Sequence, residues 1–278
     1  MKILAIGDFH GKFPRFLRKV IRKEKPDLIV SIGDYFPFHA RKLFFKYAYA
    51  NQIPLSFFIG AKKENELRKK DRIVGKKILD YLNSLGKRII TITGNHDFSG
   101  QMEAIKGYSS QSDKKYLIDY FSKMIKKLKN IELFDYKAKI VGDFVFIGYP
   151  RSTFPGHVKS RKFRSQKKKL EKLFKKHRKK KIIFVSHNVP YKTGKLDIIR
   201  AKDAHKKAKG KHYGAKISQR LIKKYKPLLC ICGHMHENQG KVKMGKTTVI
   251  NTGPCLDKQY AIIKIIGKKL DIKLKKSR

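Results

Sequence analysis

Acidic residues are scarce in this 278-residue sequence: 21 Asp and Glu stand against 69 Lys and Arg, which gives a formal net charge of +48 at pH 7. Cysteine is also rare, with three residues, and tryptophan is absent. Three cysteines without regular spacing exclude a secreted scaffold held by disulfides and are typical of a reducing cytoplasm. Apolar runs such as Leu228–Cys232 are too short to cross a membrane, and Asp8 interrupts the first run too early for a secretory signal peptide. We therefore predict a cytoplasmic protein with no membrane segment.

The excess of positive charge has two explanations that remain open at this point. A hydrophobic content of 41% excludes a disordered polycation, so the lysines belong to a folded protein. They can reflect a compositional bias on solvated faces, or they can attract an anionic partner such as nucleic acid. The most basic run, 159–181, predicts a helix over 166–179 with an outward stripe of Lys167, Lys168, Lys172, Lys175 and Lys179.

Strand-like and helix-like segments alternate along the chain, which indicates an α/β fold (α+β by some schemes). Pro14 is typical of a helix start, and further helices are predicted at 115–129 and 217–225. The aromatic and then charged stretch at about 36–75 predicts an insertion packed as a helical hairpin, with an apolar cap or a stacking platform for bases as the alternatives. The predicted strands are Lys2–Ile6, Leu28–Ile32, Arg88–Ile92, a hairpin over Lys139–Tyr149, Ile182–Ser186, Leu228–Cys232, Thr247–Asn251, Tyr260–Ile266 and Leu270–Leu274.

Side chains that can bind metal ions follow five of these strands. In α/β sheets, ligands bind beyond the carboxyl ends of the strands, so five such ends would bring these donors together. Each residue alone is more often a turn, capping or hydrogen-bonded residue, but their joint occurrence predicts a metal site. The residues are Asp8 and His10, Asp34, Asn95 with His96 and Asp97, His187, and His234 with His236.

These segments, in this order, resemble the five motifs of calcineurin-like metallophosphoesterases. The motifs are DFH at 8–10, GD at 33–34, GNHD at 94–97, SH at 186–187 and GHMH at 233–236. The resemblance spans Met1 to about Pro254, and the stretch from GKHYG at 210–214 onward is similar to an archaeal and bacterial branch related to Icc-type phosphodiesterases. It implies one domain over 1–278, built as a four-layer αββα sandwich with the insertion after its second strand.

The resemblance also implies a centre of two divalent metal ions. Asp8, His10, Asp34 and His236 would hold one ion, and Asp34 would share the second ion with Asn95, His187 and His234. Mn²⁺ is the expected ion, with Fe, Zn²⁺, Ni²⁺ and Co²⁺ as alternatives. His96 would not be a ligand but would act near the leaving group, with Asp97 orienting its imidazole.

Mixed carboxylate and imidazole ligands suit such ions, and two ions with a bridging water can provide hydroxide at neutral pH. That hydroxide would attack phosphorus in line, while His96 assists the departing oxygen. The predicted reaction is therefore the hydrolysis of a phosphate ester.

One departure from the family pattern bears on the substrate. Phosphoprotein phosphatases carry Arg after the GD motif and directly before GNHE, whereas Tyr35–Ala40 contains no Arg and Thr93 precedes the GNH segment here. We therefore expect a phosphodiester, such as a nucleotide or nucleic acid. The alternatives are a phosphomonoesterase or phosphoprotein phosphatase, a basic nucleic-acid-binding protein of the same fold, and a binding module without catalysis.

Three further predictions concern residues around the motifs. Asn95 and His212 are the expected substrate contacts, although a plain surface loop also explains His212. His39, five residues after Asp34, is expected to belong to a loop or a helix start. Cys230 and Cys232 are expected to be buried strand residues and not a metal motif. The oligomeric state stays open.

Overall fold

The computed structural model describes residues 1–49, 51, 53–97, 119–153, 155–201, 206 and 208–277. Twelve strands are found in these ranges, and most match the predicted segments to within two residues at each end. They are β1 (Lys2–Ile6), β2 (Leu28–Ser31), β3 (Ile89–Thr91), β4 (Ile131–Leu133), β5 (Ala138–Val141), β6 (Phe144–Tyr149), β7 (Lys181–Asn188), β8 (Leu229–Gly233), β9 (Gly240–Met244), β10 (Thr247–Asn251), β11 (Gln259–Ile266) and β12 (Lys269–Lys276).

The helices of the same ranges lie mainly between parallel strands. A π-helical segment, Phe44–Tyr49, continues directly from the second helix, and short 3-10 turns occur at Gly194–Asp197, His236–Asn238 and Cys255–Asp257. The α-helices are α1 (Phe16–Glu24), α2 (Arg41–Leu43), α3 (Leu55–Ile59), α4 (Ala61–Ser84), α5 (Tyr120–Ile125), α6 (Arg161–Lys176) and α7 (Lys216–Tyr225).

The strands form two six-stranded sheets. Sheet A has the order β12-β11-β1-β2-β3-β4 and sheet B the order β5-β6-β7-β8-β10-β9. Strands β1 to β4 pair in parallel, as do β6, β7, β8 and β10, whereas β5, β9, β11 and β12 pair antiparallel to their neighbours. The parallel strands bring their carboxyl ends to one edge of each sheet.

Alternation along the strands produces four layers. Ile3 and Ala5 of β1 pack between the two sheets, together with Ile183 of β7, while Leu4 and Ile6 face the opposite side. On that side, the outer face of sheet A is covered by α1, α4 and α5. The outer face of sheet B is covered by α6 and α7. The predicted four-layer αββα sandwich is therefore confirmed.

The region after β2 is helical, as we predicted for the insertion at about 36–75, and its last helix extends past residue 75. Helix α4 runs without interruption through Gly75 to Ser84, and Ile78 and Leu79 pack into the core of sheet A. The Phe36 ring approaches this helix closely at Gly75. A Cβ at position 75 would lie 1.8 Å from the ring, which explains a glycine inside the helix.

Two short edge strands, β4 and β9, were not predicted. Residues 115–118 of the predicted helix over 115–129 lie outside the described residues. The remaining part of that prediction contains α5. The predicted hairpin is confirmed by the antiparallel pairing of β5 with β6. Among the described residues, no helix combines the length and the apolar character that crossing a membrane requires.

Candidate metal centre

Four of the predicted ligand residues adopt the left-handed backbone conformation, with φ of 54° at Asp8, 44° at His10, 59° at Asp34 and 68° at His234. Residues other than glycine rarely do so, and such strain tends to cluster at functional sites. Hydrogen bonds hold these turns: the His10 N–H donates to the Asp34 carbonyl (3.0 Å), and the His234 N–H donates to Asp8 Oδ2 (3.0 Å). The loops after β1, β2 and β8 are therefore tied to one another.

Two glycines allow these loops to approach closely. A Cβ on Gly94 would lie 2.1 Å from Asp34 Oδ1, and a Cβ on Gly233 would lie 2.4 Å from Asp8 Oδ2. Neither carboxylate could move aside, because both are fully buried. Glycine is therefore required at both positions for the carboxylates to stand where they do.

The first group of donors contains Asp8, His10 and His236. His236 Nε2 lies 3.1 Å from His10 Nε2 and 3.8 Å from Asp8 Oδ1. His10 Nε2 also lies 3.4 Å from Asp34 Oδ2. The four side chains that the resemblance implied for one ion are thus brought together.

The second group contains Asp34, His187 and His234. His187 Nε2 lies 3.4 Å from Asp34 Oδ2 and 2.7 Å from Asn95 Oδ1. The rings of His187 and His234 lie 5.0 Å apart between centroids. His187 belongs to the end of β7 itself, where a register shift between Val185 and Asn188 interrupts the pairing with β8.

Two carboxylate oxygens in this cluster, Asp8 Oδ1 and Asp34 Oδ2, are buried without any hydrogen-bond partner. Buried polar atoms are normally satisfied, and a buried anionic oxygen left alone is costly. Asp34 Oδ1 accepts the His96 N–H at 2.7 Å, so the carboxylate is held with Oδ2 directed at His10 and His187. An oxygen shared in this way between two groups of donors fits a pair of divalent ions bridged by Asp34.

The hydrogen bonds of two rings indicate which nitrogen faces the site. His187 Nδ1 lies 2.8 Å from the Ile32 carbonyl, so Nδ1 carries the proton and Nε2 is directed at Asp34. His234 Nε2 lies 3.2 Å from the Thr153 carbonyl, so Nε2 donates there and leaves Nδ1 for the site. Metal-binding histidines commonly donate their second ring N–H to a carbonyl in this way, which fixes the ring.

The local electrostatics also suit cation binding. Burial lowers the pKa of His10 to about 4 and the pKa of His234 to about 3, so both rings are neutral at pH 7, as ligands must be. Burial acts to raise the pKa of Asp34, but His187 and His96 outweigh it and hold that pKa well below its usual range. Burial acts to lower the pKa of His187, but the Asp34 carboxylate more than offsets that effect and raises this pKa to about 9. A bound ion must therefore displace a proton from His187.

The expected role of Asp97 is wrong in this structure. Its carboxylate accepts the backbone N–H groups of Asp34 (2.7 Å), Tyr35 (2.6 Å) and Gly94 (2.9 Å), with a longer bond from Phe36 (3.3 Å). Both oxygens are occupied by these bonds, and the side chain is buried, so it does not orient the neighbouring imidazole. Burial and the Asp34 carboxylate raise the pKa of Asp97 to about 7, against the effect of the N–H donors. Asp97 instead joins the loops that follow β2 and β3.

His96 lies at the edge of the cluster, between the donors and the insertion. Its ring contacts His10 edge-on, with 4.8 Å between centroids, and lies 5.2 Å from the Phe38 ring. His96 also falls within ligand distance of His10 and Asp34. Burial lowers its pKa against the opposing effect of Asp34, and the positive charges of His187, His236 and Arg41 add to the lowering. Arg41, one residue beyond the Tyr35–Ala40 segment, thus contributes a positive charge that acts on His96.

The remaining predicted residues lie outside the cluster. His212 belongs to none of the donor groups, and its Nδ1 lies 3.0 Å from Asp197 Oδ1. His39 lies in the turn just before α2, as expected for a loop or helix-start residue, and it contacts Asp71 of α4 through both its backbone N–H and its ring. Cys230 and Cys232 are buried in β8 as free thiols, which confirms that they are strand residues.

The family model for calcineurin-like phosphoesterases matches residues 1–238 of this chain. The chain belongs to this family. That match covers all the donor residues, and the two-sheet architecture agrees with it. The match identifies the family and not a branch within it, so membership of the Icc-type branch stays a prediction.

Three proteins similar to this phosphoesterase share between 12% and 25% of their residues with it. An uncharacterised protein, MJ1162 of Methanocaldococcus jannaschii, is 25% identical over 259 residues, which cover 91% of this chain and 88% of that protein. A crystal structure of TT1561 from Thermus thermophilus matches with a TM-score of 0.56 at 13% identity, over 98% of both chains. A dimetal phosphatase from Danio rerio matches with a TM-score of 0.54 at 12% identity, over 99% of this chain and 95% of that one. At such identities the solved structures support the fold alone.

Proposed function

We propose that this phosphoesterase hydrolyses phosphodiesters and uses two divalent ions, Mn²⁺ foremost. The observation that carries the proposal is the position of Asp34 Oδ2, which has no hydrogen bond and lies 3.4 Å from both His10 Nε2 and His187 Nε2. When bound, two ions would neutralise phosphate oxygens and make a water nucleophilic at neutral pH. We assign Asp8, His10, Asp34 and His236 to one ion, and Asp34, Asn95, His187 and His234 to the other.

The protein groups then have separate tasks. The Asp97 carboxylate holds the loops of Asp34 and Asn95 in register through backbone hydrogen bonds. The half-buried His96 stands beside Asp34, where it would contact the reacting phosphate and stabilise the departing oxygen. The Phe38 ring against His96 would exclude water from one side of that space.

The preference for a diester rests on the absence of arginine from two motif positions. A dianionic monoester gains most from a pair of guanidinium groups that bind it in bidentate fashion. Thr93 occupies one of those positions, and its N–H donates to Asp135. Arg41 favours the second candidate, a phosphomonoesterase, because its positive charge acts on His96 and a monoester carries one more negative charge than a diester.

We propose that the basic surface of α6, on the outer face of sheet B, binds nucleic acid. Helix α6 buries Phe163, Leu170 and Phe174 and contains one acidic residue, Glu171, which pairs with Lys167 and with Lys224 of α7. Lys167 is therefore part of an ion pair and not of an open stripe. The exposed cations of α6 are Arg161, Lys162, Arg164, Lys168, Lys169, Lys172, Lys175 and Lys176.

The metal requirement is tested with metal-free protein, confirmed by elemental analysis, to which Mn²⁺ is returned. Turnover of bis(p-nitrophenyl) phosphate should appear only with the metal. His96→Ala should keep the metal and lose roughly 10²- to 10⁴-fold in kcat, the usual range for acid–base assistance. Full activity without metal would contradict the proposal.

The substrate class is tested by comparing kcat/KM for bis(p-nitrophenyl) phosphate and p-nitrophenyl phosphate. We expect the diester to be preferred and Arg41→Ala to leave its turnover nearly unchanged. A preference for the monoester that Arg41→Ala removes would favour the phosphomonoesterase instead.

The basic surface is tested by duplex DNA binding as a function of salt. Each phosphate contact contributes about −0.9 to the slope of log K against log salt. A triple variant with Lys168→Glu, Lys172→Glu and Lys175→Glu should therefore reduce the slope by roughly 2–3. Its turnover of bis(p-nitrophenyl) phosphate should be unchanged. The matched control is the triple variant Arg18→Glu, Arg22→Glu and Lys23→Glu in α1, on the outer face of sheet A. Equal effects of both triple variants would mean that the charge acts only through composition.

A further inference from the structure

A row of aromatic rings leads outward from the edge of the metal centre. The His96 ring lies 5.2 Å from the Phe38 ring, and the Phe38 ring lies 5.5 Å from that of Phe44, between centroids. Phe44 meets Phe45 edge-on, again with 5.5 Å between centroids. Phe38 and Phe44 are half-buried, whereas Phe45 is 47% exposed. This ring row therefore connects the metal centre to the protein surface.

Positive charge accompanies the ring row. The Arg41 guanidinium lies over the Phe45 ring, 5.3 Å from its centroid. The sequence has no Asp or Glu between Asp34 and Glu64, and Glu64 itself is buried and paired with Arg68. This part of the insertion thus combines aromatic rings with cations and has no exposed carboxylate, which suits an anionic ligand with flat apolar faces.

A cleft of about 1670 Å³ lies beside the ring row. Sites for small molecules usually measure about 300–1,000 Å³, so this cleft has room for a larger ligand. Among the described residues, its walls include Asn95 of the metal centre and Phe44 of the ring row. Arg151 and Lys162 of α6 also line it. One cleft is therefore shared by a predicted metal ligand, an aromatic ring and two cations.

The inner rings of the row are held in place by the insertion itself. Phe38 and Phe44 pack against the buried side chains of Ala40, Ala48 and Leu55. Phe44 also begins the π-helical segment, a rare form of helix that is frequent at functional sites. Rings that are fixed before binding lower the entropy cost of ordering a ligand on them.

We propose that this cleft binds single-stranded nucleic acid, with unpaired bases stacked on Phe44 and Phe45 and a backbone phosphodiester at the metal centre. The inference rests on the proposed function, whose substrate class it narrows. Every base has a flat face, so aromatic rings bind single strands with little regard to sequence, while neighbouring cations attract the phosphates. In a duplex, adjacent base pairs cover these faces, so the rings would discriminate against it.

A membrane surface is the alternative occupant, since exposed rings and cations also suit an interface with anionic lipids. It would leave two observations without a reason. The ring row begins at His96, and the cleft that Phe44 lines also contains Asn95. Both features place the rings beside the metal centre, where a ligand that is itself the substrate would use them.

The test measures binding apart from catalysis. A labelled oligonucleotide of about 10 nucleotides, within the usual range of site sizes, is titrated with metal-free protein at fixed salt and followed by fluorescence anisotropy. The same strand annealed to its complement is the duplex probe. Phe45→Leu keeps an apolar side chain but removes the ring, and Phe45→Trp keeps a ring. The matched control is Ile266→Ala, because Ile266 is 76% exposed at the edge of sheet A opposite the metal centre.

We expect Phe45→Leu to weaken single-strand binding by about 5- to 150-fold, the range for one stacked base, and to leave duplex binding within about threefold of the wild type. Phe45→Trp and Ile266→Ala should bind both probes as the wild type does. When Mn²⁺ is returned, kcat/KM for the single strand should fall in Phe45→Leu relative to kcat/KM for bis(p-nitrophenyl) phosphate.

Equal losses on both probes, or none on either, would overturn the inference. A loss that Phe45→Trp shares would also overturn it, because the ring would then not be what the strand contacts. Binding of phosphatidylserine vesicles that depends on Phe45, with no effect on the single strand, would assign the rings to a membrane surface instead. Absence of bis(p-nitrophenyl) phosphate turnover by the Mn²⁺-loaded wild type would refute the proposed function, and with it the claim that the bound strand is a substrate.

Discussion

Replacing Asp97 by Asn tests whether this side chain joins two ligand loops or orients His96. In the wild type, Oδ2 accepts the N–H groups of Asp34 and Gly94, and Oδ1 accepts those of Tyr35 and Phe36. An amide keeps one acceptor oxygen and turns an NH₂ group toward two of these donors.

The magnitude follows from the two donors that lose their acceptor. Each buried N–H left unsatisfied costs about 1–3 kcal/mol, so the free energy of unfolding should fall by roughly 2–6 kcal/mol. That loss is large against a total stability of about 5–15 kcal/mol. Mn²⁺ affinity should fall as well, because the positions of Asp34 and Asn95 depend on the tie.

The assay is urea unfolding of the metal-free protein, followed by Mn²⁺ titration. It is run above the pKa of about 7 that burial and Asp34 give Asp97, so that the wild-type carboxylate is ionised. Asp143→Asn, at an exposed hairpin position, is the matched control and should change stability little. Unchanged stability and metal affinity in the Asp97 variant, combined with a large loss of kcat, would refute the reasoning. That result would mean that Asp97 orients the His96 imidazole.

Three further outcomes are expected. Asp34→Asn should reduce the bound metal at both sites, because one oxygen faces both donor groups; elemental analysis that still finds two ions per chain would contradict this. Gly94→Ala should impair Mn²⁺ binding measured by titration, since its Cβ would lie 2.1 Å from Asp34 Oδ1. Lys275 and Lys2 lower the pKa of Glu24 from 4.5 to about 2, so its stabilising effect is complete above pH 4.5 and is lost as the pH falls toward 2. Glu24→Gln should remove that part of the acid dependence of thermal unfolding, and an unchanged dependence would show that the pair contributes nothing.

Much of the fold could be predicted because its signals are local. The apolar strands and the amphipathic α1, with Leu17, Val20 and Ile21 buried, show their period directly in the residue order. The edge strands β4 and β9 escaped prediction because one has three residues and the other alternates lysine with half-buried positions. Their pairing is decided by the neighbouring strand and not by their own pattern.

The candidate metal-binding residues could be recognised from residue order, since the ligand types stand in short motifs whose spacing depends only on the local chain. The partners of the other polar groups depend on contacts between distant parts of the chain. Asp97 contacts backbone 61 to 63 residues away, Asp197 meets His212 across 15 residues, and Thr153 supplies the carbonyl for His234 across 81. Carboxylates and carbonyls accept hydrogen bonds from any donor that the fold brings near, so their partners follow from the packing of the two sheets and cannot be read from neighbouring residues.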